Sequence, residues 1–131
     1  MEQKIYKMVE RYSNAIHTQK AEDFLPLWNE NTLCTLISPS GYYVGIESIY
    51  QDFLLEQIRK AYSRIDLIAD NVDIRIINDT SAVVIFSYYT DCNRRDTGEP
   101  FGIAGLETQV YHKVGDNWKL THVHYSLNPK E

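Results

Sequence analysis

The sequence predicts an α+β fold: three N-terminal helices packed on a curved, mostly antiparallel sheet of about six strands, with an apolar pocket between them. Three observations lead there. Apolar residues recur at helical steps through the first half of the chain. Strand-like runs fill the second half. Within the longest of those runs the apolar parity changes once, as a β-bulge requires, and a bulge bends a sheet.

The first helix covers about residues 2–18, where Ile5, Met8, Val9, Tyr12, Ala15 and Ile16 share one face. A short helix follows over 21–29, with Phe24, Leu27 and Trp28 facing inward. Pro26 fits it only in a first turn. Residues 32–38 read as a strand, Ser38-Pro39-Ser40-Gly41 as a turn, and Tyr42-Tyr43 as a short return strand ending at Gly45. The third helix is the clearest: Ile46, Ile49, Tyr50, Phe53, Leu54, Ile58 and Ala61 keep helical steps, while Asp52, Glu56 and Arg59 take the wet side.

Four strands complete the chain. Over 64–77, Ile65, Leu67 and Ala69 are odd-numbered, but Val72, Ile74 and Ile76 are even. One extra residue near Asp70-Asn71 restores the face. Residues 82–89 are apolar on both parities, as in a central strand. A polar loop over 93–100 leads to a hairpin of 101–113 and 118–127 around Gly115-Asp116-Asn117, with Gly102 and Gly105 marking a bend. Helices on one face of a curved sheet leave a hollow suited to a small ligand.

Composition sets the class. A chain of 131 residues reads as one domain over 1–131. It is long enough to fold without a metal or disulfide, and no cofactor is expected. Ten Tyr against four Phe favour a pocket or a subunit interface, because tyrosine joins an apolar body to a polar tip. The net charge is −5, and Arg94-Arg95 and Arg59-Lys60 form no stripe. Neither nucleic acid nor an anionic membrane is an expected partner. Cys34 and Cys92 make no metal-type motif and read as small buried hydrophobes in a reducing compartment. With no apolar leader and no long apolar run, the cytoplasm is the expected location.

The run Glu107-Thr108-Gln109-Val110-Tyr111-His112, then Gly115-Asp116-Asn117-Trp118-Lys119-Leu120, then His122-Val123-His124-Tyr125-Ser126 resembles the closing hairpin of the nuclear transport factor 2-like superfamily. The likeness is to its SnoaL-like branch and to the association domain of calcium/calmodulin-dependent kinases. Residues 41–49 are similar to the segment entering that family's third helix. The resemblance implies a cone-shaped fold, usually a homodimer, with a pocket between sheet and long helix. The superfamily holds isomerases, cyclases, dehydratases and non-catalytic association domains, so the fold alone decides no function.

The ketosteroid isomerases of this superfamily use a helix-1 tyrosine, an aspartate base after the first strand and a second acid on a late strand. Tyr12 and Glu107 match the first and third, and are the candidate catalytic pair. Ser38 stands where the base would be, and a serine abstracts no proton unaided. Tyr12 and Glu107 would then bind a carbonyl or hydroxyl. Trp28, Ser38, Tyr43, Gln109, Tyr111, Val123 and Tyr125 are the further candidate ligand contacts. At the positions of Gln109 and Tyr125 the kinase association domain has pocket arginines. Both residues here are uncharged, which argues against an anion pocket of that kind.

Hairpin register decides which of these meet. A three-residue loop pairs Val114 with Trp118 and brings Glu107, Gln109 and Tyr111 together with Thr121, Val123 and Tyr125. A loop of two or four pairs Gln109 with His122. The resemblance favours the first. In that register His112, His122 and His124 could cluster on the opposite face, and they read as a dimer interface or as hydrogen-bonded surface histidines rather than a metal site, for want of a carboxylate on that face. Two functions stand: a domain binding a small apolar, oxygen-bearing molecule, with isomerase, lyase or cyclase activity left open, or a non-catalytic homodimerising domain joined through the outer sheet face.

Overall fold

The structure, a computed structural model, describes residues 1–129. Helix α1 (Glu2–Thr18) buries Ile5, Met8, Val9, Tyr12, Ala15 and Ile16, the apolar face read from the sequence. It ends where Gln19 turns left-handed, at φ 60°, and its N–H donates to Ala15 O. The second helical stretch is split: α2 (Ala21–Phe24) is followed by a 3₁₀ turn (Leu25–Leu27). Pro26 falls in the first turn of the latter, where a missing N–H costs no ladder bond.

The third helix differs in pitch from the expected one. A single turn, α3 (Ile46–Ser48), runs on as a π-type helix (Ile49–Arg59). Ile49, Phe53 and Leu54 are buried and Ile58 is half-buried. Their steps of four and five residues suit the wider i→i+5 winding. Ala61, expected on the inner face, is exposed just beyond this segment.

The strands are β1 (Thr35–Ser38), β2 (Gly41–Val44), β3 (Tyr62–Asn78), β4 (Ser81–Arg94), β5 (Pro100–Phe101), β6 (Ala104–Val114) and β7 (Asn117–Leu127). They form one sheet in the order β2-β1-β7-β6-β4-β3, with β5 paired to β4. Only β1 with β7 is parallel. The core lies between the helices and the inner face of this sheet, where Phe24, Trp28, Leu36, Phe53, Leu54 and Phe86 are buried. Each such side chain contributes about 1.5–3 kcal/mol, an upper range for area removed from water.

Three irregularities shape the sheet around the site. In β3, Asn71 and Val72 fall between the pairs Asp70–Ser87 and Asp73–Ile85, and Asn71 has φ 52°, so the bulge sits where the parity change requires. At Gly102 and Gly105 the strands come too close for a side chain: a Cβ on Gly105 would lie 1.8 Å from Ser126 O. In β7, Thr121 has no partner in the ladder, and the register steps there by one residue.

That last irregularity corrects the expected turn while keeping the expected pairing. The hairpin closes with a two-residue turn, pairing Val114 with Asn117 and Tyr111 with Leu120. The bulge at Thr121 then shifts the ladder, so Gln109 faces Val123 and Glu107 faces Tyr125. Thr121 does not join their face: its hydroxyl meets His112 Nδ1 at 3.2 Å and donates to Val110 O.

Candidate functional site

A cavity of about 80 Å³, partly open to solvent, lies between the helices and the sheet. Helix α1 supplies Tyr12 and Ile16, and the π-type helix supplies Phe53 and Ile58. Strand β3 adds Tyr62, Ile65 and Leu67, and β4 adds Tyr88 and Thr90. Ile103, Glu107 and Tyr125 complete the wall. Glu107 is the only carboxylate in a lining that holds no cation among the described residues.

Glu107 is 3% exposed, fixed in β6 between Phe86 of β4 and Tyr125 of β7. Burial pushes its carboxyl up to about 8, against a weaker opposing pull from a hydrogen bond with Gln109. At neutral pH this side chain is therefore mostly a neutral acid, able to donate. Tyr12 enters the same cavity from α1. Burial, then the proximity of Glu107, raises its phenol well above the ordinary range. Its hydroxyl has no hydrogen-bond partner among the described residues. Two neutral donors thus line a cavity otherwise walled mainly by hydrocarbon and tyrosine rings.

Behind Glu107 runs a chain of same-face side chains at two-residue steps along β6. The Tyr111 hydroxyl donates to Gln109 Oε1 at 2.5 Å, and Gln109 Nε2 donates to Glu107 Oε2 at 2.7 Å. Gln109 and Tyr111 are fully buried, flanked by Val84 and Val123 and by Ala82 and Leu120 respectively.

The expected contacts separate accordingly. Tyr12, Glu107 and Tyr125 line the cavity; Gln109 and Tyr111 stand behind it, and Val123 belongs to the core. Trp28 does not reach the cavity. It packs on Phe24, with ring centroids 5.7 Å apart, and its Nε1 has no partner among the described residues. The backbone pairing of Trp28 with Leu120, the partner of Tyr111, holds it four residues along β6 from Glu107. Ser38 and Tyr43 also lie off the lining. Ser40 bonds Ser38 Oγ at 2.7 Å and Tyr43 Oη at 2.8 Å, and Tyr43 packs on Phe53. Ser38 nonetheless touches the site through Tyr125, whose phenol burial raises and a hydrogen bond with Ser38 lowers. The lining residues of β3 and β4 were not anticipated. Their signal was present, since Ile65 and Leu67, and Tyr88 and Thr90, share inward parity.

On the outer face the His122 and His124 rings are 6.3 Å apart, and Thr35 Oγ1 meets His122 Nδ1 at 2.6 Å. Burial, and then His124, lowers the His122 imidazole below its ordinary range. His112 is held apart by Thr121. Among the described residues no group of three or more His, Cys, Asp or Glu side chains is placed to hold a metal ion. No helix of the structure is long and apolar enough to cross a membrane.

The family model for the calcium/calmodulin dependent protein kinase II association domain matches residues 1–129. The chain belongs to this association-domain family. Its fold is that of the nuclear transport factor 2-like superfamily. A superfamily protein from Salmonella enterica serovar Typhimurium is 28% identical with a TM-score of 0.90, over 98% of this chain and 91% of that one. Hexachlorocyclohexane dehydrochlorinase LinA-type3 from Novosphingobium barchaimii is 13% identical with a TM-score of 0.85, over 98% and 86% of the two chains. A protein of unknown function with a cystatin-like fold from Nostoc punctiforme is 16% identical with a TM-score of 0.77, over 98% and 92%. Those two likenesses concern the fold alone. A search among curated proteins found no match. Association-domain membership leaves the cavity's role open, since one fold carries a dehydrochlorinase and an association domain alike.

Proposed function

We propose that this association-domain protein binds a small, largely apolar molecule bearing an oxygen, seated against Tyr12 and Glu107. One observation carries the reading: two neutral donors, one of them a buried acid raised to about 8, line a single apolar cavity. An uncompensated donor at such a wall costs free energy, which a ligand acceptor would recover. The cavity is small beside the roughly 300–1,000 Å³ of pockets for drug-sized ligands, so the ligand is a compact one rather than a polycycle. Ser38 in place of a base supports binding more than proton abstraction. The test is a thermal-melt series with cyclohexanone, cyclohexane and cyclohexanecarboxylate. Stabilisation by the ketone that weakens in Tyr12→Phe supports the reading; no shift with any of the three at millimolar concentration refutes it.

A second, compatible reading is self-association through the outer sheet face. Leu106, Tyr89 and Tyr42 are 55%, 48% and 64% exposed there. With His122, His124 and Val110 they make an apolar face of the kind a second copy would cover. Sedimentation of wild type against Leu106→Glu tests it: a dimer that the variant splits supports the reading, and a wild-type monomer overturns it.

A further inference from the structure

We infer that Gln109, held in one orientation by Tyr111, is a positioning residue that keeps the donor side of the Glu107 carboxyl turned to the cavity, so that the pocket selects neutral ligands whose oxygen accepts. The ligand-selecting half rests on the binding proposal; the placing of the proton does not.

Tyr111 is fully buried, and its hydroxyl hydrogen needs an acceptor. The one it reaches is Gln109 Oε1, at 2.5 Å. A carbonyl oxygen only accepts, so this bond fixes which end of the amide faces which way. The amide NH₂ is then committed to Glu107 Oε2, at 2.7 Å. A proton on that oxygen would meet an N–H head-on. In the neutral acid the proton therefore belongs on the other oxygen, the one left for the cavity. With the amide reversed, Nε2 would face the Tyr111 hydroxyl, whose hydrogen would find no other acceptor among the described residues. That arrangement would also let Glu107 spend its proton on Gln109 rather than on a ligand.

The groups around Glu107 do not disturb this polarity. Tyr12 comes from α1, Tyr88 from β4, Tyr125 from β7 and Tyr111 from its own strand; all are phenols whose ionisation burial opposes. No lining cation draws the proton off. A carboxylate ligand would bring its charge into a site with nothing cationic to meet it, whereas a ketone oxygen would meet Tyr12 and Glu107 as donors.

The experiment follows the Glu107 carboxyl by ¹³C NMR titration in wild type, Tyr111→Phe and Gln109→Leu. The same proteins are titrated with cyclohexanone and with cyclohexane. Tyr111→Phe preserves the buried ring and guards against loss of the fold in Gln109→Leu. Both variants are expected to raise the Glu107 midpoint, since each removes or frees an N–H held to the carboxylate. Tyr111→Phe should also weaken cyclohexanone about fivefold, as for one hydrogen bond, and leave cyclohexane unchanged. A midpoint and a ketone-to-hydrocarbon ratio both unmoved in Tyr111→Phe would overturn the inference. A shifted midpoint in a protein that never binds the ketone would support the placing of the proton and overturn its ligand-selecting half.

Discussion

Glu107 stands opposite Tyr125 across the β6–β7 ladder. The two-residue turn that closes the hairpin would by itself set it opposite His124. The difference is one residue, Thr121, which the ladder skips. Because strand side chains alternate in direction, that single step decides which side chains reach the cavity and which reach the outer face.

Removing this residue should straighten the strand without changing its faces. With Thr121 deleted, Leu120 stays opposite Tyr111 and His122 opposite Val110, so Gln109 still faces Val123 and Glu107 still faces Tyr125. The deletion and Thr121→Ala both lose the bonds to Val110 O and His112, worth about 1 kcal/mol, and should cost similarly in urea unfolding. A loss of about 3 kcal/mol or more for the deletion, as for two inward side chains turned outward, would contradict this account of the register.

Stability should carry the signature of Glu107. Its carboxyl rises from 4.5 to about 8 on folding. Between those values the native state holds a proton that the unfolded state releases, so stability falls as pH rises. The contribution is complete below about 4.5, is lost as pH passes through about 8, and has an upper size of about 5 kcal/mol. Glu107→Gln should flatten that slope in unfolding curves taken from pH 5 to 8. His122, lowered by burial and by His124, contributes the opposite slope in acid and is common to both proteins. Parallel curves for the two proteins would rule out a buried, proton-holding Glu107.

Tyr12→Phe should separate binding from folding. The hydroxyl it removes has no protein partner among the described residues, so stability should move by no more than about 0.5 kcal/mol. A loss beyond about 1 kcal/mol would mean the hydroxyl is spent on the protein's own structure rather than held for a ligand.

Gly105→Ala should open the closing hairpin. Its Cβ would come within 1.8 Å of Ser126 O, a backbone atom that cannot swing aside. A cost of about 1–3 kcal/mol is expected, with faster amide exchange around Leu106 and Ser126. Wild-type exchange and stability in the variant would show that the strands lie farther apart there.

Most of the architecture was legible in the residues themselves. The α1 face, the β3 bulge and the buried central strand follow from apolar period and parity, which are local properties. The π-type winding and the split at Pro26 were less so. Ile49, Phe53, Leu54 and Ile58 satisfy either helical pitch, and only packing against the sheet chooses between them. For the site, Tyr12 and Glu107 could be named from the sequence and its resemblance. That Trp28 stays in the core, that Tyr62 and Tyr88 join the wall, and that Gln109 points its amide at Glu107 depend on contacts between residues far apart in the chain. The hairpin shows the division most clearly. Gly115-Asp116 sets a local turn, but the turn's register would face Val123 and Tyr125 to solvent. Burying them needs one residue looped out of β7, and that demand exists only once α1 and the π-type helix cover the sheet.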